Sequence, residues 1–196
     1  DDYFMTTTTA QAGPVMLFLE ELLQRRWTDL RVHVTSVTDQ WAGMAVAGPY
    51  AREVLAAEFP QLNWSDEAFP FMGVVEVTHR LGQHDITCRI ARISFSGERA
   101  FEIYVPSDSG AQIWSALADR VNEAGGCLYG MEALGALRIE KGHVTAAELD
   151  GRVTLEDAGF GRMASKTKPF IGSVLRQRSS LQDERRPQLV GIFPKD

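Results

Sequence analysis

The alternation Phe101, Glu102, Ile103, Tyr104, Val105 puts a carboxylate and a phenol on one side of an extended segment and three apolar side chains on the other. The apolar side asks for a core. The acid and the phenol share the other face, where solvent or a ligand could meet them. A carboxylate accepts two parallel hydrogen bonds, so this pair suits a planar heterocycle carrying adjacent N–H donors. The bland alternatives for Glu102 are a solvent-facing strand acid or a partner for Arg92 or Arg99.

Glu102 needs a strand to hold it, and the flanking sequence supplies one. Residues Ile86 to Ser94 and Ala100 to Val105 are rich in β-branched and aromatic types, with Ser96-Gly97 between them, which predicts a hairpin with a tight connection. Further strands are expected at Tyr3–Thr9, Arg31–Val37, Trp41–Ala47 and Phe71–Arg80, with a strand-like Leu189–Phe193 near the end. Pro14 to Arg25 reads as an amphipathic helix with Val15, Leu19, Leu22 and Leu23 as its apolar stripe. Other helices are expected at Ala51–Glu58, at Ser109–Glu123 burying Ile113, Trp114, Leu117 and Val121, at Met131–Lys141, and at Phe170–Arg178. For the third, Asp108 or Ser109 is the N-cap and Gly125-Gly126 the stop. Strands and helices mix without strict alternation, which predicts an α+β fold with mostly antiparallel sheets and flanking helices.

Composition excludes several classes. In 196 residues, 20 basic and 26 acidic side chains leave a net charge of −6, which argues against non-specific nucleic-acid binding. The balance is uneven, since Arg162 to Asp196 holds eight basic and three acidic side chains. Cys88 and Cys127 lack a CxxC spacing and read as buried thiols of a reducing, cytoplasmic setting. No apolar run approaches the roughly 20 residues that cross a bilayer, so no membrane partner is expected. His33, His79, His84 and His143 show no metal-ligand spacing, and His79 and His84 read as solvated residues flanking a Leu81-Gly82-Gln83 turn. Neither a dinucleotide fingerprint, a P-loop nor a GxSxG elbow is present.

Four stretches in register carry a resemblance: Trp41 to Arg52, Arg92 to Pro106, Glu132 to Gly142, and Glu148 to Gly161 running on into Ser165 to Gly172. Together they resemble the aminomethyltransferase family, which includes the glycine-cleavage T-protein and the folate domains of dimethylglycine- and sarcosine-oxidising enzymes. Within it, Arg92–Glu98 and Leu137–Gly142 look most like the carboxy-terminal part of the sarcosine oxidase alpha subunit. The resemblance implies a tetrahydrofolate-binding domain over residues 1–175, lacking its amino-terminal part, and the first strand of a truncated β-domain at 187–196.

The resemblance also implies roles for particular residues. Glu102 falls at the family's pterin-binding glutamate, with Tyr104 beside it. Phe95 stands where many members have tyrosine, keeping a stacking face and losing a hydroxyl. Arg138 lies in the helix signature, where a structural ion pair and a ligand contact are equally open readings, and His143 ends the adjoining turn. Leu134 and Arg162 replace the family's usual arginine and tryptophan, and Lys166 and Lys168 are either an attraction for an anionic folate tail or an exposed basic loop. The family's aspartate near the folate nitrogen lies before the segment matching Asp1, so neither Asp1 nor Asp2 takes that role and no catalytic residue is expected in this stretch. FAD or FMN and NAD would sit elsewhere in the parent enzyme, with other subunits of a hetero-oligomeric sarcosine oxidase as partners. A T-protein or a non-catalytic folate-binding relative is the alternative.

Overall fold

The computed structural model describes residues 2–195. Its centre is a four-stranded antiparallel sheet of β1 (Trp41–Ala47), β2 (Val74–Leu81), β3 (His84–Ala91) and β4 (Ala100–Pro106), in the order β1-β4-β3-β2. The α+β architecture expected from the sequence is thus present, and the hairpin of β3 and β4 aligns Arg89 with Tyr104, Ile90 with Ile103 and Ala91 with Glu102. The connection is wider than the tight turn expected, because it takes residues 92–99.

Alternation sorts the sheet into two faces. Phe101, Ile103 and Val105 of β4, Cys88 and Ile90 of β3 and Val77 of β2 are buried on one side, under α2 (Ala51–Glu58) and α3 (Gly110–Glu123). The helices contribute Val54, Leu55, Ile113 and Leu117, and Trp64, Phe69 and Phe101 close the end with ring centroids 5.3–5.7 Å apart. Trp114 is 49% exposed and takes no part, contrary to expectation, because the buried stripe of α3 is only as wide as Ile113 and Leu117. The helix α1 (Ala12–Arg25) half-buries its expected stripe.

Neither of the strands expected ahead of β1 forms. Residues 3–8 and 31–37 have no regular structure, since β propensity yields a strand only where a neighbour pairs with the backbone. His79 is a further correction: it lies on the core face of β2, buried, 3.1 Å from Glu58 and with its ring 4.7 Å from that of Phe59. Cys127 is exposed where a buried thiol was expected, whereas Cys88 is fully buried.

Contacts divide the chain into two compact units, residues 1–94 with 98–128, and 95–97 with 129–196. The second contains α4 (Met131–Lys141), which ends at Gly142, and is otherwise turns tied by ion pairs. Arg186 grips Asp157 through both its Nε and Nη2, and the Leu189 amide donates to the Asp157 carbonyl at 2.8 Å. The helix expected at Phe170–Arg178 is reduced to a short turn at Leu175–Gln177, because Gly172 sits at φ +87°, outside helical space. Leu189–Phe193 forms no strand among the described residues.

Candidate functional site

The non-core face of β4 carries Glu102 and Tyr104, both half-buried. Tyr104 donates its hydroxyl hydrogen to Glu102 Oε2, an arrangement that period-two geometry permits between neighbours on one face. Across the ladder from Tyr104 stands Gly43 of β1, and a Cβ there would lie 3.4 Å from the phenol ring, so the ring rests on bare backbone. Burial is the main force on this phenol, and the bond to Glu102 adds to it, pushing its pKa up to about 12. It therefore stays a protonated donor across the physiological range.

The pair opens on a cavity of about 1110 Å³. Its walls are the two unpaired segments, Asp2–Thr9 and Arg31–Thr38, with Val15, Met16 and Leu19 of α1 and Trp41, Gly43 and Ala45 of β1. The failed strands thus have a place: they cover the polar face of the sheet and supply threonine hydroxyls to the cavity. Asp2 lines it too; Asp1 lies outside the described residues. Phe4, Trp41 and Tyr104 form an aromatic cluster, with Phe4 5.3 Å from Trp41 and 5.7 Å from Tyr104. Sequence reasoning missed Phe4 and Trp41 as wall residues, because only the register of β1 against β4 brings Trp41 near Tyr104.

The other expected site residues lie in the second compact unit. There the Phe95 and His143 ring centroids lie 4.5 Å apart, with the planes tilted by 54°. Burial, then the charges of Lys141 and Arg138, push the His143 pKa down. Arg138 donates to Glu148 at 2.8 Å and to the His143 carbonyl at 3.3 Å, bridging the turn after α4. Hydrogen bonds from Arg138 and the Thr145 amide hold the Glu148 pKa down at about 2. Arg92, considered as a partner for Glu102, instead pairs with Asp66 at 2.6 Å and donates to the Phe69 carbonyl at 2.7 Å. Lys166 and Lys168 are exposed.

Among the described residues no group of three or more His, Cys, Asp or Glu side chains is placed to hold a metal ion, and no helix is long and apolar enough to cross a membrane. The chemistry on offer is recognition. Tyr104 spends its one hydroxyl hydrogen on Glu102 Oε2, and a carboxylate has acceptor capacity beyond that one bond.

Comparison with known proteins agrees with that scaffold. The chain is 47% identical over 195 residues to "Sarcosine oxidase subunit alpha" of Rhizobium meliloti (strain 1021), covering 99% of this chain and 20% of that protein. It is 32% identical to the mitochondrial dimethylglycine dehydrogenase of Mus musculus, over 87% of this chain and 19% of that protein. An aminomethyltransferase of Caldanaerobacter subterraneus is 28% identical over 83% of this chain and 42% of its own length. The chain therefore spans about a fifth of the sarcosine oxidase subunits it matches. Residues 1–168 match the GCVT N-terminal domain, and the chain belongs to that family.

Proposed function

We propose that this chain is a tetrahydrofolate-binding part of a sarcosine oxidase alpha subunit, capturing the one-carbon unit from oxidative demethylation of sarcosine as 5,10-methylenetetrahydrofolate. The observation that carries the reading is Glu102, held by Tyr104 and facing a cavity large enough for a drug-sized heterocycle. Tetrahydrofolate would supply the nucleophilic amines that take up the carbon. Glu102 accepts the N–H donors of the pterin edge and Tyr104 fixes the carboxylate. Holding the amine beside the reactive carbon favours capture over loss to solvent.

Phe95, Arg138 and His143 belong to the same proposal in a secondary role, as the stacking and turn-forming elements of the second unit. FAD or FMN and NAD are assigned to other parts of the parent enzyme, and the remaining subunits of a hetero-oligomer to its partners. The proposed division of the chain is 1–175 for the folate-binding domain and 187–196 for the start of the next. The aminomethyltransferase similarity supports a second reading, a T-protein or a folate-binding relative without transfer activity.

Isothermal calorimetry with tetrahydrofolate on the full-length protein is the test. Glu102→Ala is expected to weaken binding by about a hundredfold, the scale of losing a paired hydrogen bond to a charged group. Equal affinities for variant and wild type would remove Glu102 from the site.

A further inference from the structure

Arg89 stands across the β3–β4 ladder from Tyr104, on the same face of the sheet. Its guanidinium carbon lies 4.5 Å from the Trp41 ring centroid and 4.7 Å from that of Phe4. Both rings line the cavity and touch one another, and Phe4 meets Tyr104 edge-on at 5.7 Å. The contacts form a closed circuit: Arg89 to Trp41, Trp41 to Phe4, Phe4 to Arg89, and Phe4 on to Tyr104. Glu76 of β2, directly opposite Arg89 in the ladder, accepts from its Nε at 3.1 Å and steers the guanidinium from the far side.

We propose that Arg89 is a positioning residue for ligand recognition, pinning Phe4 and Trp41 so that Tyr104 holds the Glu102 carboxylate toward the cavity. The geometry gives the reason for an arginine. The guanidinium lies over two aromatic rings at once while its Nε donates to Glu76, whereas a lysine ammonium offers a point charge without that directed donor. Phe4 belongs to a segment with no backbone ladder of its own, so side-chain contacts must hold it in place. Without the cation Phe4 loses one of its three ring partners, and Tyr104 loses the edge contact that keeps its hydroxyl on Glu102. Arg89 touches no ligand in this account and acts through the rings.

The proposal rests on the folate reading for its affinity measurement, so the experiment has two arms, both in the full-length protein. In the first, tetrahydrofolate affinity is measured by calorimetry for wild type, Arg89→Met, Tyr104→Phe and the double variant. Arg89→Met is expected to weaken binding about tenfold, in keeping with loss of a partly desolvated cation–π pair. That loss is expected to shrink severalfold in the Tyr104→Phe background, as coupled residues require. Arg89→Lys is expected to recover only part of the affinity. Unchanged affinity in Arg89→Met, or equal losses in both backgrounds, overturns the proposal. The second arm uses no ligand: the near-ultraviolet circular dichroism of Tyr104, isolated by subtracting the spectrum of Tyr104→Phe, is expected to collapse in Arg89→Met. An unaltered Tyr104 band overturns the proposal. If wild type binds no tetrahydrofolate the folate reading fails, and this second arm alone decides for or against Arg89.

Discussion

Glu102 shows how much a single position can disclose and where disclosure stops. Its side, its neighbour Tyr104 and the apolar face opposite followed from alternation alone, because period two is a property of the backbone. What alternation could not supply is the bond between them, which leaves Tyr104 orienting the acid and spends its hydrogen there. A pH consequence belongs at this scale. A phenol whose folded pKa is raised from 10.0 to about 12 favours the folded state fully below the unfolded value, and that favour is lost as pH rises through the folded one. Urea titrations at pH 9 and pH 12 are expected to show a larger loss for wild type than for Tyr104→Phe. Arg138 pairs with Glu148, the ion pair that was one of the two readings open in sequence, and its contact with a ligand stays part of the proposal.

The elements were legible where they carry their own signal. Trp41–Ala47, Ala51–Glu58 and Met131–Lys141 fall at the residues that periodicity and punctuation indicate. Tyr3–Thr9 and Arg31–Val37 did not, because a strand is a relation between two segments and composition sees only one. His79 was misplaced for a similar reason: its neighbours Gly82 and Gln83 marked the turn, while Glu58, far away in sequence, makes it a core residue. Ile113 of α3 is wholly buried against the sheet, so Ile113→Ala is expected to cost about 2–5 kcal/mol in chemical denaturation, from lost transfer energy and the cavity left behind. The second unit leans on carboxylates instead. Asp157 and Glu148 are both held down at about 2, the first chiefly by Arg186 and the second chiefly by Arg138. Groups with depressed pKa values stabilise above their unfolded values of 3.8 and 4.5, and that contribution is lost as pH falls through about 2. Asp157→Asn is accordingly expected to flatten the acid limb of the unfolding curve between pH 4 and pH 2.

As a whole molecule, the chain represents about a fifth of its sarcosine oxidase relatives, and its surface is uneven in a way that composition hides. Phe71, Met72 and Val74 at the start of β2 are 65%, 66% and 67% exposed, and Met72 sits at φ +67°, a conformation rarely taken by residues other than glycine. A cluster of this kind beside a sheet edge is prone to association. Sedimentation of the isolated chain is expected to show self-association that decreases when all three are replaced by serine; an unchanged profile would clear this patch. The family was readable from four motifs and the α+β class from the mix of elements, whereas the partition into two units was not, since it depends on contacts between residues distant in sequence such as Phe95 and His143.

That partition has one unusual trait: Phe95–Gly97 belongs with residues 129–196 although both of its flanks belong to the other unit. No single cut of the gene therefore yields both halves intact. A clone ending at Leu128 carries Phe95 away from the His143 ring it packs against, and a clone starting at Tyr129 leaves that ring without it. Recombination between relatives is constrained in the same manner, because any crossover between residues 98 and 128 mates a Phe95 with a His143 from a different parent.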